Sequence, residues 1–139
     1  MAITSFDGEN EFLSNFFESS VEYEGLTFKT NEHAFQAAKV LNIRTRIEFQ
    51  ILTPGQAKRK GRKVLLRSDW ENVKDSIMEN LVRIKFTTNE DLKRKLLNTD
   101  EEELIEGNNW HDTYWGICNG KGKNKLGKIL MKVREELKG

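Results

Sequence analysis

The chain is predicted to be a single, mainly α-helical domain with one short β-hairpin and minor strands. Three observations carry that reading: helix caps recur before runs of helix formers, apolar residues recur at helical spacing, and one two-residue turn sits between β-type residues. At 139 residues the chain is long enough to bury a core without a metal or disulfide staple. Its single cysteine, Cys118, cannot close an internal bridge, and the N-terminus lacks a signal-type apolar run. Both point to a reducing, cytoplasmic setting. No run is long enough to cross a bilayer, so no membrane partner is expected.

The N-terminal stretch FDGENEFLSNFF mixes turn formers with Phe12, Leu13, Phe16 and Phe17, which call for burial. Ser14 and Asn15 among them are either a turn satisfying its own backbone or a hydrogen-bonding hand for a ligand. Val21, Tyr23, Leu26 and Phe28 flank Glu24 and Gly25 and read as a hairpin. Thr30 then caps a helix beginning near Asn31. On a 3.6-residue repeat Glu32, Phe35, Gln36 and Lys39 share one face. A face carrying an acid, a ring, an amide and an amine suits the wall of a polar-ligand pocket. It is equally read as a solvated face with Glu32 favoured by the helix dipole.

Ile43 to Leu52 is a second expected helix. Thr53 and Pro54 then form a cap with proline at the first helical position, opening the basic helix GQAKRKGRKVLL. Gly61 and Arg62 within it either admit a phosphate or mark a tight helix contact. Ser68 and Glu71 have capping-box spacing at the head of the longest helix, about Asp69 to Thr87. Val73, Ile77, Leu81 and Ile84 form its expected core stripe, with Trp70, Met78, Val82 and Lys85 beside it. Trp70 is a core anchor or a stacking surface for a flat heterocycle. Asn89 caps a helix through Leu92, Leu96 and Leu97. A Gly/Asn-rich loop bearing Trp110, Asp112, Tyr114 and Trp115 follows, of the kind that commonly carries function. Asn124 is the expected cap of the last helix, buried through Leu126, Leu130, Val133 and Leu137. Lys121 and Lys123 near its start are placed for a phosphate.

Charge is uneven despite a net of +1. Residues 1–32 hold seven acids and one lysine, residues 44–67 eight basic residues and one acid, and residues 121–138 seven basic residues and two acids. The two basic regions are either a local anion site or solvated helix faces. GxGxxG, the P-loop and HExxH are absent, as is any zinc-ligand spacing, so no metal and no cofactor are expected. A Cys118 nucleophile with His111 as its base has no other support.

FLSNF at 12–16, NEHAFQAAK at 31–39, KGR at 60–62, DW at 69–70, Met78, KF at 85–86, LLNT at 96–99, LIEGNNWHDTYWG at 104–116 and GKNKLGKILMKVR at 122–134 run in order over almost the whole chain. Together they resemble the YbiA-like, or NADAR domain, family. Where a glycine often follows LLNT, this chain has Asp100. The resemblance implies an N-glycosidase acting on a ribosyl–nucleobase substrate. That substrate is a phosphoribosylamino-pyrimidine of riboflavin synthesis or ADP-ribose on guanine of nucleic acid, including single-stranded DNA. From it Glu32 matches the acidic active-site position, Trp70 the active-site tryptophan and Asp112 the acid of the loop. Lys39, Lys85, Asn15 and Trp115 match other pocket positions, and Phe16, Gln36, Arg62, Gly116 and Asn124 complete the expected substrate-contacting set. Lys39 is the candidate amine nucleophile if the ribose ring opens. The alternative from another class is a non-catalytic module binding ADP-ribose or NAD.

Overall fold

Glu24 and Gly25 both take positive φ, 45° and 88°. That is what a two-residue hairpin turn with the native twist requires. In the computed structural model, which describes residues 2–139, the turn joins β2 (Val21–Tyr23) to β3 (Leu26–Phe28), antiparallel with Val21 opposite Phe28 and Tyr23 opposite Leu26. The other strands are two residues long. β1 (Ala2–Ile3) runs parallel to β4 (Glu103–Leu104), and β5 (Gly107–Asn108) parallel to β6 (Ile117–Cys118). The remaining elements are helical, so the fold is mainly α.

The chain divides into two compact units, Asn15–Lys85 and the residues up to Ser14 with Phe86–Gly139. The first holds the hairpin, α1 (Asn31–Ala37), α2 (Ile43–Glu48), a 3-10 turn at Phe49–Ile51, α3 (Pro54–Gly61) and most of α4 (Trp70–Thr87). Local caps explain the starts. The Thr30 hydroxyl accepts from the His33 amide, Asn42 from Thr45, and Thr53 and Gln56 form a reciprocal capping box around Pro54. α4 begins at Trp70, where the Asp69 carbonyl accepts from the Val73 amide. Glu71 pairs with Lys74.

Three expectations shift. α3 ends at Gly61, and residues 63–66 are not helical although they were expected to continue it. α1 ends at Ala37, so Lys39 lies in the turn beyond it, its amide donating to the Gln36 carbonyl. On α4 the buried side chains are Trp70, Ile77, Met78, Leu81, Val82, Lys85 and Phe86, whereas Val73 and Ile84 are only half-buried. The buried stripe is therefore rotated toward the second of the two expected rows.

In the second unit a 3-10 turn (Gly8–Leu13) buries Phe12, whose ring meets Phe86 edge-on at 6.4 Å. Asn89 caps α5 (Glu90–Leu97) as expected. Asp100 takes φ 54°, a left-handed conformation that glycine adopts without penalty, which suits the glycine expected there from the resemblance. α6 (Lys125–Leu137) corrects the reading of Asn124. That residue stands before the helix in a left-handed conformation (φ 52°) and makes no side-chain cap. Its amide instead donates to the Leu104 carbonyl at 2.9 Å and accepts from the Glu106 amide at 3.0 Å, tying β4 and the following turn to the start of α6. Gly127 completes this contact, since a Cβ there would fall 2.1 Å from the Leu104 carbonyl oxygen.

The Asn124 side chain satisfies two backbone groups in a buried place. Asn124→Gly, which keeps the positive φ, is expected to lower unfolding free energy in urea by about 2 kcal/mol. A loss below about 0.5 kcal/mol would show that the bridge is not holding the unit.

Candidate active site

Every residue of α1 is buried. A seven-residue helix with Asn31, Glu32, His33 and Gln36 among its side chains must find partners for them inside the protein, because an unpartnered buried polar group is costly. His33 is fully provided for: one ring nitrogen lies 2.7 Å from the Thr30 hydroxyl and Nε2 donates to the Leu52 carbonyl at 2.6 Å. It locks the hairpin end to the turn before α3. Glu32 and Gln36 form a pair one turn apart, Nε2 donating to the Glu32 carboxylate at 2.7 Å. The Glu32 amide donates to the Asn15 carbonyl, and the Asn15 side chain reaches the Met78 sulfur. Asn15 therefore contributes both a backbone and a side-chain contact.

Gly61 is where α3 meets this pair. A Cβ at Gly61 would lie 1.8 Å from the Gln36 side-chain oxygen and 2.7 Å from its Cδ. The tight-contact alternative for the Gly-Arg pair is thus the one the geometry supports at Gly61. Lys39 Nζ donates to the Gly61 carbonyl at 3.3 Å. Burial depresses the Lys39 pKa; the Glu32 charge opposes this, and nearby Arg62, Lys58 and Lys74 add to the depression.

On α1, Phe35 packs against Trp70 at the head of α4, ring centroids 5.0 Å apart and tilted by 55°. Farther along α4, Lys85 is buried with its ammonium 5.5 Å from the Phe17 ring. Loss of hydration pushes its pKa down to about 7. Phe16 is 42% exposed, with Lys58 Nζ 5.9 Å from its ring. Of the basic residues at 44–67, Arg46, Lys60 and Arg67 are paired with Glu24, Glu48 and Asp69. Arg46 is also buried, donating to the Val40 carbonyl. Arg44, Arg59, Arg62 and Lys63 remain exposed. Within the Asn15–Lys85 unit, therefore, contacts link Glu32 to Gln36 and Asn15, Lys39 to Gly61 beside Arg62, and Trp70 to Phe35.

Asp112, Trp115, Gly116 and Asn124 belong to the other unit. Asp112 Oδ1 accepts from the Tyr114 and Trp115 amides at 3.1 and 2.9 Å, and its backbone is bracketed by the Asn108 side chain. The carboxylate thus organises the turn that presents Trp115, whose ring meets Tyr114 edge-on at 4.9 Å. Gly116 is needed for packing, since a Cβ would fall 2.2 Å from the Glu106 carbonyl oxygen. Lys123 and Lys125 both lie over the Tyr114 ring. Cys118 is buried and free. Among the described residues, no cluster of three or more His, Cys, Asp or Glu could hold a metal, and no helix is long and apolar enough to cross a membrane.

A family model described as the NADAR domain matches residues 4–138. The chain belongs to the NADAR domain family. It is 41% identical over 129 residues to N-glycosidase YbiA of Escherichia coli (strain K12), covering 90% of this chain and 80% of that one. An N-glycosidase of Nostoc punctiforme is 37% identical over 133 residues, covering 91% and 85% of the two chains. A riboflavin biosynthesis protein of Vibrio vulnificus is 36% identical over 137 residues, covering 94% of this chain but 36% of that protein. The NMR structure of E. coli YbiA superimposes with a TM-score of 0.86 at 37% identity, over 99% of this chain and 84% of that one. This NADAR chain is accordingly an enzyme of the N-glycosidase class, which sets aside a purely ligand-binding module.

One NADAR residue escaped the sequence reading, whereas the tight helix contact offered for Gly61 is what its fit against Gln36 supports. Asn31 was taken only as the first helical residue, yet it is among the most buried polar groups in the chain; an amide directly before the acid of NEHAFQ was the available signal.

The Lys85 environment yields a pH test. An unfolded lysine titrates near 10.5 and the folded one near 7. Between those values the unfolded chain holds a proton that the folded chain lacks, so folding gains stability as pH rises. The slope is at most about 1.4 kcal/mol per pH unit. Urea melts of the wild type against Lys85→Met should therefore move in favour of the wild type from pH 7 to 9. A constant difference would place the Lys85 ammonium in water.

Proposed function

We propose that this chain hydrolyses the bond between a ribosyl C1 and a base nitrogen, with Glu32 as general acid/base. The observation that carries the proposal is the buried Glu32–Gln36 pair on a wholly buried helix that also packs Phe35 against Trp70. Cleaving C1–N leaves positive charge on the sugar and negative charge on the departing base. A carboxylate stabilises the first, takes a proton from the attacking water, and passes a proton to the base nitrogen. Gln36, by donating to one carboxylate oxygen, restricts the rotamer of the proposed acid. Trp70 offers an indole face to the heterocycle or sugar. Lys39, its pKa lowered by burial, donates to the substrate or attacks C1 of a ring-opened ribose, so that the C1–N bond breaks, the base leaves as its amine and water hydrolyses the resulting lysine imine. Exposed Arg62, with Lys58 nearby, supplies charge for phosphate. Lys85 and Asn15, in contact with Phe17 and Met78, complete the proposed substrate-contacting set of this unit.

For Asp112 the proposal is an electrostatic role in turnover. Asparagine retains the oxygen that accepts from Tyr114 and Trp115, so Asp112→Asn removes the charge while keeping the turn.

Two substrates fit this chemistry: a phosphoribosylamino-pyrimidine, favoured by the Vibrio relative's name, and ADP-ribosyl guanine in nucleic acid, favoured by the exposed basic residues 44–63. Incubation with each, followed by mass spectrometry of released sugar, distinguishes them. On an oligonucleotide, kcat/KM should fall steeply with salt, roughly in proportion to the phosphates contacted; on the small substrate it should fall little. Glu32→Gln is expected to reduce turnover at least about 100-fold at unchanged thermal stability, and Asp112→Asn about 10-fold or more. Near-normal rates would remove either residue from its role.

A further inference from the structure

Among the described residues, Asn31 is the side chain whose buried nitrogen and oxygen are both left unused by the fold. The side chain is 1% exposed, and neither its nitrogen nor its oxygen has a hydrogen-bond partner among the described residues. Its neighbours on α1 are treated differently: His33 has two partners, and Gln36, although its oxygen is also unpaired, is bonded through its nitrogen to Glu32. Two donors and an acceptor left unused in the interior oppose folding, so stability gives no reason for an amide here; a leucine of similar volume would serve the core better. Retention of such a group in a helix that also carries the proposed acid is understood if a ligand completes it.

The register says which part of a ligand. Asn31 and Phe35 are one turn apart on the same face of α1, and Phe35 is packed on Trp70. A planar heterocycle held by its face against aromatic rings presents its edge sideways. The asparagine amide offers an N–H beside a C=O, which pairs in two hydrogen bonds with a ring edge carrying C=O beside N–H.

We propose that Asn31 is a specificity-determining residue that reads the lactam edge, a ring carbonyl next to a ring N–H, of the base being released. The inference rests on the N-glycosidase reading of the same site. Guanine and oxo-pyrimidines share that edge, so the recognition chemistry is common to both candidate substrates.

The test pairs guanosine, and separately an oxo-pyrimidine riboside, with the analogue in which the ring carbonyl is replaced by C–H. Binding is measured by calorimetry to wild type and Asn31→Leu. Wild type should prefer the carbonyl-bearing partner by roughly 10- to 100-fold in at least one arm, and that arm identifies the source of the base. Asn31→Leu should lose the preference while melting at or above the wild-type temperature. Equal binding of both partners in both arms, no binding in either, or a preference kept by Asn31→Leu would overturn the assignment. So would a lowered melting temperature or a failure to fold, which marks the amide as structural. Turnover is read separately. An Asn31-dependent preference with no sugar released by the wild type breaks the hydrolase proposal and leaves this one standing; Asn31→Leu matching wild type in both turnover and preference breaks this one alone.

Discussion

The complete burial of α1 is the constraint on which the Asn15–Lys85 unit depends. A buried seven-residue helix would ordinarily be apolar, since each polar side chain brought inside must replace the hydrogen bonds it had with water. Here His33 does so by spanning from Thr30 to the Leu52 carbonyl. That one ring fastens the helix to its own cap and to the residue just before the Thr53 cap of α3. α3 then approaches closely enough for Gln36 to occupy the space a Cβ on Gly61 would need. The Glu32–Gln36 pair therefore owes its geometry to a glycine on another helix. A carboxylate held in this way has few rotamers left to lose, which is what the proposed acid/base role would require.

The other unit solves a different problem by related means. Its strands are only two residues long, so ladders satisfy few of the backbone groups between Glu103 and Asn124. Side-chain amides and a carboxylate stand in: Asn108 brackets Asp112, Asp112 caps the Tyr114–Trp115 turn, and Asn124 bridges Leu104 and Glu106. Positive φ at His111, Asn119, Gly120, Gly122 and Asn124 bends the chain between these anchors. The composition of this stretch follows from that task, because asparagine tolerates left-handed backbone and carries both a donor and an acceptor.

What could be read from the sequence was what local chemistry decides. Thr30, Thr53 with Pro54, and Asn89 begin helices because a short oxygen-bearing side chain meets an amide two or three residues on, and the Glu24–Gly25 turn needs only its own φ angles. The i to i+4 meeting of Glu32 and Gln36 is of the same kind. Where a distant partner outbids the local preference, the sequence misleads. Asn124 looks like a cap but is drawn to Leu104 and Glu106. Lys39 looks like a helical residue but leaves α1 to reach the Gly61 carbonyl. Val73 and Ile84 look like core, yet the buried row of α4 is set by what packs on it and includes Lys85. The family resemblance rested on segments scattered over the chain, and the NADAR match bears it out. It could not convey that Gly116 and Asn124 are committed to backbone contacts.

Two lysines bear on how an amine could take part in the chemistry. Lys39 is held down first by burial, and it also keeps company with Glu32, whose charge favours the ammonium, and with Arg62, Lys58 and Lys74, whose charges disfavour it. Its charge is consequently adjustable by what binds: neutralising Glu32 by proton uptake would weaken the ammonium, and a bound phosphate would strengthen it. Lys85 is governed by dehydration, so its amine is the more basic the more water reaches it. A substrate that excludes water depresses both amines, and a phosphate beside Lys39 opposes that at Lys39 alone. The depth of the Lys85 shift alone thus does not make it the nucleophile, and the coupling of Lys39 to Glu32 is the more direct route by which protonation at the acid could be felt at an amine.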